Sequence, residues 1–336
     1  MRLNEPSPVS IAKKFGIKVS RAFTIRSGIF KIVTPVGKAY SLKRMPSHLA
    51  HLKWTDQVLL RVKNNGFPHL AWRNPRMPEG KKLYVFSKQG SPYVLTPWIQ
   101  GRMPSPRSIR DMKACGTALA RFHLAGSSAV KSGIQAHSKI GSWPRMLLKN
   151  HKDLQSKIAK ANKNYYSSPI NRLLQKNGKE ILNYSNQART FLKNSGYYAY
   201  RNRPLQTGVL CHRDGGPSNY IMNSTGTYLI DFETLYVDLR AYDLYRIIYN
   251  CSKDYKWDFS IAEAILDGYH KVTKLSKTDY ELMRVWLRFP LSTSLVLSSS
   301  DRFPLTESWL NWALSSEKRI SQFLQKLERY AEKHGS

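Results

Sequence analysis

Residues His212-Arg213-Asp214-Gly215-Gly216-Pro217-Ser218-Asn219, followed twelve positions after the asparagine by Asp231-Phe232-Glu233, constrain this chain more than any other stretch. Each motif follows a short apolar run, Gly208 to Cys211 and Tyr228 to Ile230, so each reads as a loop leaving a strand. A carboxylate able to accept a proton, an amide five residues on and a second carboxylate at a strand end form a set suited to phosphoryl transfer: one base and two metal ligands. Singly, an H-x-D or a D-F-E is common. The ordered set at these spacings is specific.

A chain of 336 residues with 41% apolar content can bury a large core and is long enough for two domains. Lys and Arg total 54 against 22 Asp and Glu, a formal charge of +32. Such a field attracts phosphates, nucleic acid, anionic lipid or acidic protein without choosing among them. The excess concentrates in residues 1 to 82 (17 basic, 3 acidic) and 127 to 203 (15 basic, 2 acidic), which are the candidate anion-facing surfaces, or simply solvated helix faces. Cys115, Cys211 and Cys251 are widely spaced and form no C-x-x-C pair, so buried thiols are expected instead of a disulfide framework or a zinc site. No apolar h-region opens the chain and no run approaches a membrane span, which predicts a soluble protein made inside the cell.

The first hundred residues read as a small sheet holding one helix. Residues 29 to 34 and 39 to 43 flank Pro35-Val36-Gly37-Lys38, a hairpin whose second strand ends at Lys43. Leu49, Leu52, Leu59 and Val62 recur at helical spacing, with Ser47 as N-cap and Asn64-Asn65-Gly66 as the stop. Asp56 falls on the buried-facing side of that helix, four after Leu52 and three before Leu59. Strands are expected over 82 to 87 and 93 to 99.

Beyond Gly101 the pattern turns helical, which places a boundary near residue 100 and divides the chain into 1–100 and 101–336. A helix runs from Ile109 to about Leu124. The basic stretch 127–203 reads as a helical insertion, with segments near 145 to 161 and 170 to 194 separated by Tyr165-Tyr166-Ser167-Ser168-Pro169. After the two motif strands the remainder is helix. Ser260 with Glu263 and Ser276 with Asp279 are capping-box-like starts, and a closing helix spans about 307 to 333.

Phosphoryl transfer needs an aligned nucleophile and cations to meet the spreading negative charge. Asp214 is the candidate base, its loop position keeping the side chain out of core packing. Asn219 and Asp231 offer oxygens to a divalent cation, and Glu233 either joins them or faces solvent. His212 suits packing and hydrogen bonding better than base chemistry. Lys43 can reach nucleotide phosphates from its strand end. A phosphate-binding lysine needs an orienting carboxylate, and Asp56, the only acid between Lys43 and Glu79, is the candidate. The phosphate-covering loop is reduced to Ser27-Gly28, with no G-x-G-x-x-G, which predicts a weak backbone grip on phosphates. Pro97-Trp98-Ile99 is placed to offer backbone groups to an adenine edge, although Pro97 has no N–H.

With Lys43, Trp98-Ile99-Gln100-Gly101-Arg102, Ala120-Arg121-Phe122-His123, the Cys211 to Asn219 loop, Leu229 to Asp231 and Asp238 and Asp243 in hand, the chain resembles the aminoglycoside phosphotransferase and choline kinase branch of the protein-kinase-like superfamily. Within it, the chain is similar to bacterial spore-coat CotS-type kinase-like proteins. No A-P-E follows Asp231, which fits the small-molecule branch. The resemblance implies an α+β, bilobal protein-kinase-like fold, with a small antiparallel-sheet N-lobe and a large helical C-lobe. It also implies Asp243 as a helix cap that supports the motif loop, ATP or another NTP with magnesium, synthesis in a sporulating mother cell and deposition in the spore coat. Transfer to a hydroxyl of a small molecule or coat component is one expectation. An inactive kinase-like scaffold docking acidic coat proteins or polymers is the other. Nucleic-acid binding through the tyrosines of 165 to 200 lacks any module pattern. With only Asp153 and Glu180 acidic in 127–203, an anionic acceptor fits better than an amine.

Overall fold

The computed structural model describes residues 7–46, 48–133, 137–163, 168–299 and 304–335. These form two compact units. One comprises the described residues up to Met103 together with Ser218–Leu235; the other comprises Pro104–Pro217 and the described residues from Tyr236 onward. The sequence placed the boundary near 100 but did not anticipate that 218–235 belongs with the N-terminal unit.

In chain order, the first unit opens with α1 (Pro8–Lys14), β1 (Arg21–Arg26), β2 (Ile29–Val33), β3 (Ala39–Arg44), α2 (Leu49–Asn64), β4 (Val85–Phe86) and β5 (Pro92–Pro97). The strands form an antiparallel sheet of order β1-β2-β3-β5-β4. Alternation sets its core: Phe30 opposes Leu42 and Ile32 opposes Tyr40, and all four are buried with Leu95 under Ile11 and Ala12 of α1. Thr34 N–H donates to Lys38 O across the hairpin turn, where Gly37 has φ +79°. Neither α1 nor β1 was anticipated. Buried Leu52, Val58, Leu59 and Val62 confirm the apolar face of α2. Ser47, its expected N-cap, lies outside the described residues, and His48 at the cap position makes no side-chain cap bond.

The second unit starts with α3 (Ile109–Gly133), longer than its periodicity suggested, then α4 (Trp143–Lys163), α5 (Pro169–Asn194), α6 (Tyr197–Arg201), α7 (Pro204–Thr207) and β6 (Gly208–Cys211). Helices α4 and α5 run antiparallel: Gln175 Nε2 donates to Ala161 O at 2.9 Å, and His151 Nδ1 meets Ser185 Oγ at 3.1 Å. Ser168 caps α5 by accepting from Asn171 N–H, whereas Tyr165, Tyr166 and Ser167 lie outside the described residues.

The hairpin β7 (Tyr220–Asn223) and β8 (Gly226–Leu229) belongs to the first unit. Met222 and Arg102 exchange backbone bonds of 2.8 and 3.0 Å, Ala71 N–H donates to Leu229 O, and Leu229 N–H donates to His69 O. Gly101 (φ +156°) permits this approach, since a Cβ there would lie 2.4 Å from Met222 O. The chain then re-enters the second unit through β9 (Tyr236–Leu239), which pairs antiparallel with β6. Strands β7 and β9 were not anticipated; they pair with β8 and β6, the two short strands that were expected.

Helices α8 (Arg240–Ser252), α9 (Phe259–His270), α10 (Lys277–Arg288), α11 (Leu291–Leu297) and α12 (Glu307–His334) complete the unit. Ser276 and Asp279 form the expected capping box on α10. On α9 the cap is Asp258 instead of Ser260, because the Asp258 carboxylate accepts the Ser260 N–H at 3.1 Å. All three cysteines are buried and free. Among the described residues no helix is long and apolar enough to cross a membrane.

Candidate active site

In the first unit, β3 carries Lys43 to the sheet end, where its side chain is largely buried. Its Nζ lies 2.5 Å from Asp231 Oδ1 and 3.1 Å from Glu233 Oε1. Arg26 Nη2 lies 3.6 Å from Asp231 Oδ2. Asp231 leaves β8 with φ +67°, a left-handed conformation uncommon for a residue with a Cβ and one that turns the chain sharply at the strand end. Asn219 is buried, just before β7. Since Tyr220 opposes Leu229 and Ile230 N–H donates to Asn219 O at 3.1 Å, Asn219 sits at the same end of the hairpin as Asp231.

Asp56 does not orient Lys43. Its carboxylate forms a close ion pair with Arg73 and also accepts from Trp72 Nε1 at 2.9 Å. The reason is the face on which it sits: the buried side of α2 turns Asp56 toward the segment after Phe67, and a buried carboxylate is stable there only when fully paired. The orienting acids for Lys43 are Asp231 and Glu233, almost two hundred residues away in sequence. At the end of β5, Trp98 donates its N–H to Ala39 O at 3.1 Å, so that donor is committed to the sheet and not to an adenine edge. Pro97 opposes Tyr40, and Pro97, Trp98 and Ile99 are each half-buried.

In the second unit, Asp214 lies on the loop after β6 and is about half exposed, with Oδ1 accepting from Arg246 Nη2 at 3.0 Å. Helix α8 holds this loop along one face. Asp243 accepts from His212 N–H at 2.7 Å and Arg213 N–H at 2.6 Å, Arg246 holds Asp214, and Asn250 Nδ2 donates to Gly215 O. The two glycines make the close packing possible: a Cβ on Gly215 would lie 3.1 Å from Ile247 N, and one on Gly216 3.1 Å from Asn250 Cβ. Asp243 supports the loop as expected but does not cap α8, since it lies within the first turn and the cap position is Leu239.

Burial pushes the Asp243 carboxyl up, but the His123 hydrogen bond, the charges of His123 and His212 and the Arg213 N–H outweigh it, leaving it below the usual range. Burial pushes Asp238 up to about 6 against the opposing pull of Arg213 and the hydrogen bond from Trp143. Arg213, also at φ +67°, pairs closely with Asp238 and lies over the Tyr242 ring at 4.6 Å. Arg26 and Arg246 were not anticipated. For Arg246 a signal existed, because Asp243, Arg246 and Asn250 recur at helical spacing along one face of α8.

Lys43, Asn219, Asp231 and Glu233 therefore belong to one unit at one end of its strands, whereas Asp214 belongs to the other unit. An all-oxygen donor set of amide and carboxylates suits a hard divalent cation. The seated Lys43 ammonium indicates that the Asp231 and Glu233 oxygens accept positive charge.

A small antiparallel sheet, a helical unit and these two motif loops define a kinase-like phosphotransferase scaffold. The phosphotransferase enzyme family matches residues 28–286, and the chain belongs to that family. It is similar to spore coat protein S of Bacillus subtilis (strain 168), 24% identical over 248 residues, covering 70% of this chain and 69% of that protein. Among solved structures, an aminoglycoside phosphotransferase from Alicyclobacillus acidocaldarius subsp. acidocaldarius DSM 446 matches with a TM-score of 0.79 at 20% identity, covering 98% of each chain. A spectinomycin phosphotransferase solved with ADP and spectinomycin matches with a TM-score of 0.64 at 14% identity, covering 94% of this chain and 95% of that one. At these identities the structural matches establish the fold, which is protein-kinase-like.

Proposed function

We propose that this protein is an ATP- and magnesium-dependent phosphotransferase acting on a hydroxyl acceptor. The observation that carries the reading is the Lys43 ammonium held against Asp231 and Glu233 at the end of the first unit's strands. In this reading Lys43 binds nucleotide phosphates, and Asn219, Asp231 and Glu233 hold the divalent cation. The bound cation would supply Lewis-acid neutralisation of developing phosphate charge. Asp214 accepts the proton of the acceptor hydroxyl, and Arg246 fixes the orientation of its carboxylate. The spectinomycin phosphotransferase binds ADP, which supports a nucleotide for this fold. The scarcity of acids in 127–203, where only Asp153 and Glu180 occur, favours an anionic acceptor over an amine.

The test is thermal unfolding of the full chain. ATP with magnesium raises the melting temperature of the wild type, and Asp231→Ala abolishes the gain; no shift in the wild type would contradict the reading.

One observation favours a second reading, a scaffold in the spore coat, made in the mother cell. The exposed cations Arg145, Lys149, Lys152, Lys160 and Lys163 follow helical spacing along the solvent face of α4, with Asp153 as the helix's only acid. Like charges at i,i+3 and i,i+4 repel unless an outside anion neutralises them. The similarity to spore coat protein S supports acidic coat proteins or polymers as that anion. Salt-sensitive binding of acidic coat material that survives Asp231→Ala and Asp214→Asn would favour this role.

A further inference from the structure

Two residues, Ser27 and Gly28, join β1 to β2, too few for a loop of backbone amides to wrap a phosphate. Arg26 immediately precedes them, and the register of β1 determines where its side chain goes. Ala22 opposes Ile32 and Thr24 opposes Phe30, so the alternation would keep Arg26 on the core face occupied by Phe30. The register shifts between Thr24 and Arg26, however, and Arg26 opposes Ile29. That one-residue bulge at Ile25 turns Arg26 onto the other face of the sheet. Ile29 in turn opposes Lys43, so Arg26, Ile29 and Lys43 form one row across three strands on one face. Both cations of the row reach Asp231, Lys43 at 2.5 Å and Arg26 at 3.6 Å.

We infer that Arg26 is a phosphate-binding residue that substitutes for the missing glycine-rich loop, gripping the terminal phosphates of the nucleotide from the side opposite Lys43. This rests on the nucleotide-binding reading above and names a further residue for it. A guanidinium suits the task because its planar donors match phosphate oxygens two at a time. Release from Asp231 costs little, since the Arg26 side chain is 67% exposed and the contact is longer than a hydrogen bond. Arg44 keeps the turn in place: its N–H donates to Gly28 O at 2.8 Å, and its side chain lies over Gly28 so closely that a Cβ there would meet it at 3.2 Å.

The experiment is calorimetric titration of the full chain with magnesium and the ATP analogue AMP-PNP. Four proteins are compared: wild type, Arg26→Ala, Arg26→Lys and Arg21→Ala, the last making the same charge change at the exposed far end of β1. The inference predicts that Arg26→Ala weakens binding by about tenfold or more, that Arg26→Lys retains part of the affinity, and that Arg21→Ala stays within about twofold of wild type. Wild-type affinity in Arg26→Ala, or an equal loss in Arg21→Ala, would overturn the clamp while leaving the nucleotide site intact. Absence of binding by the wild type would overturn the nucleotide reading and the clamp with it.

Discussion

Lys43 and Asp231 are 188 residues apart in the chain, yet the Lys43 ammonium lies 2.5 Å from the Asp231 carboxylate. The β3 strand end and the turn after β8 meet there, with Glu233 as a second acceptor at 3.1 Å. Replacing Lys43 by Met removes the ammonium and leaves the two carboxylates. Magnesium–ATP affinity should fall by about tenfold or more while magnesium binding alone persists, as titration calorimetry would show. Unchanged ATP affinity would remove Lys43 from the phosphate site.

Asp56 separates a stabilising role from a ligand-binding one. It is buried and paired with Arg73, so Asp56→Ala strands a buried guanidinium and should cost about 3–5 kcal/mol in denaturant unfolding. Nucleotide affinity measured on the folded fraction should be unchanged. A selective loss of affinity with little loss of stability would restore Asp56 to the nucleotide site.

Arg246 should act through Asp214. Arg246→Met leaves the first unit untouched and should keep nucleotide affinity while lowering ATP turnover by on the order of tenfold, a kcat effect without a matching change in nucleotide KM. Arg246→Lys should recover part of the loss. Equal turnover in wild type and Arg246→Met would show that Asp214 needs no such partner.

Glu317 makes stability depend on pH. Burial pushes its carboxyl up to about 8, opposed by the charge of Arg288 and the N–H groups of Thr293 and Ser292, so the folded protein keeps the proton where the unfolded chain has lost it. Its destabilising contribution is absent below about 4.5, grows as the unfolded chain ionises above that, and is complete once pH passes about 8. His270, held down to about 4 by burial, acts with the opposite sign between about 4 and 6.5, and Lys63, lowered to about 8 by burial, acts with the opposite sign from about 8 upward, so Glu317 dominates the window between 6.5 and 8. Unfolding free energy should fall with pH across that window, with a slope of at most about 1.4 kcal/mol per pH unit, and Glu317→Gln should flatten it. A slope that persists in the variant would assign it to another group.

The β2–β3 hairpin, the apolar face of α2 and the motif loops were legible because period-two and period-3.6 patterns and turn residues report directly on local structure. The capping box of Ser276 and Asp279 was legible for the same reason. Long-range partners were not. The sequence shows that Asp56 lies on a buried face, but whether Lys43 or Arg73 meets it depends on how distant segments pack. The return of β7 and β8 to the first unit rests on backbone bonds to residues 69, 71 and 102, which leave no mark on the pattern of either partner. The bulge at Ile25 is a one-residue register shift with no composition signature, yet it decides which face Arg26 occupies. At the site, the residue types of Lys43, Asn219, Asp231 and Glu233 suggested the chemistry proposed above, whereas the pairing of Lys43 with Asp231 and Glu233 depends on how distant segments pack.

The most direct measurement is manganese binding in the presence of AMP-PNP, followed by the loss of the free-ion electron paramagnetic resonance signal. Wild-type protein should take up manganese saturably, Asn219→Ala should bind it more weakly, and Asp231→Ala should take up none at the same concentrations. Equal uptake by all three proteins would contradict the account, since the oxygens at 219 and 231 would then hold no metal.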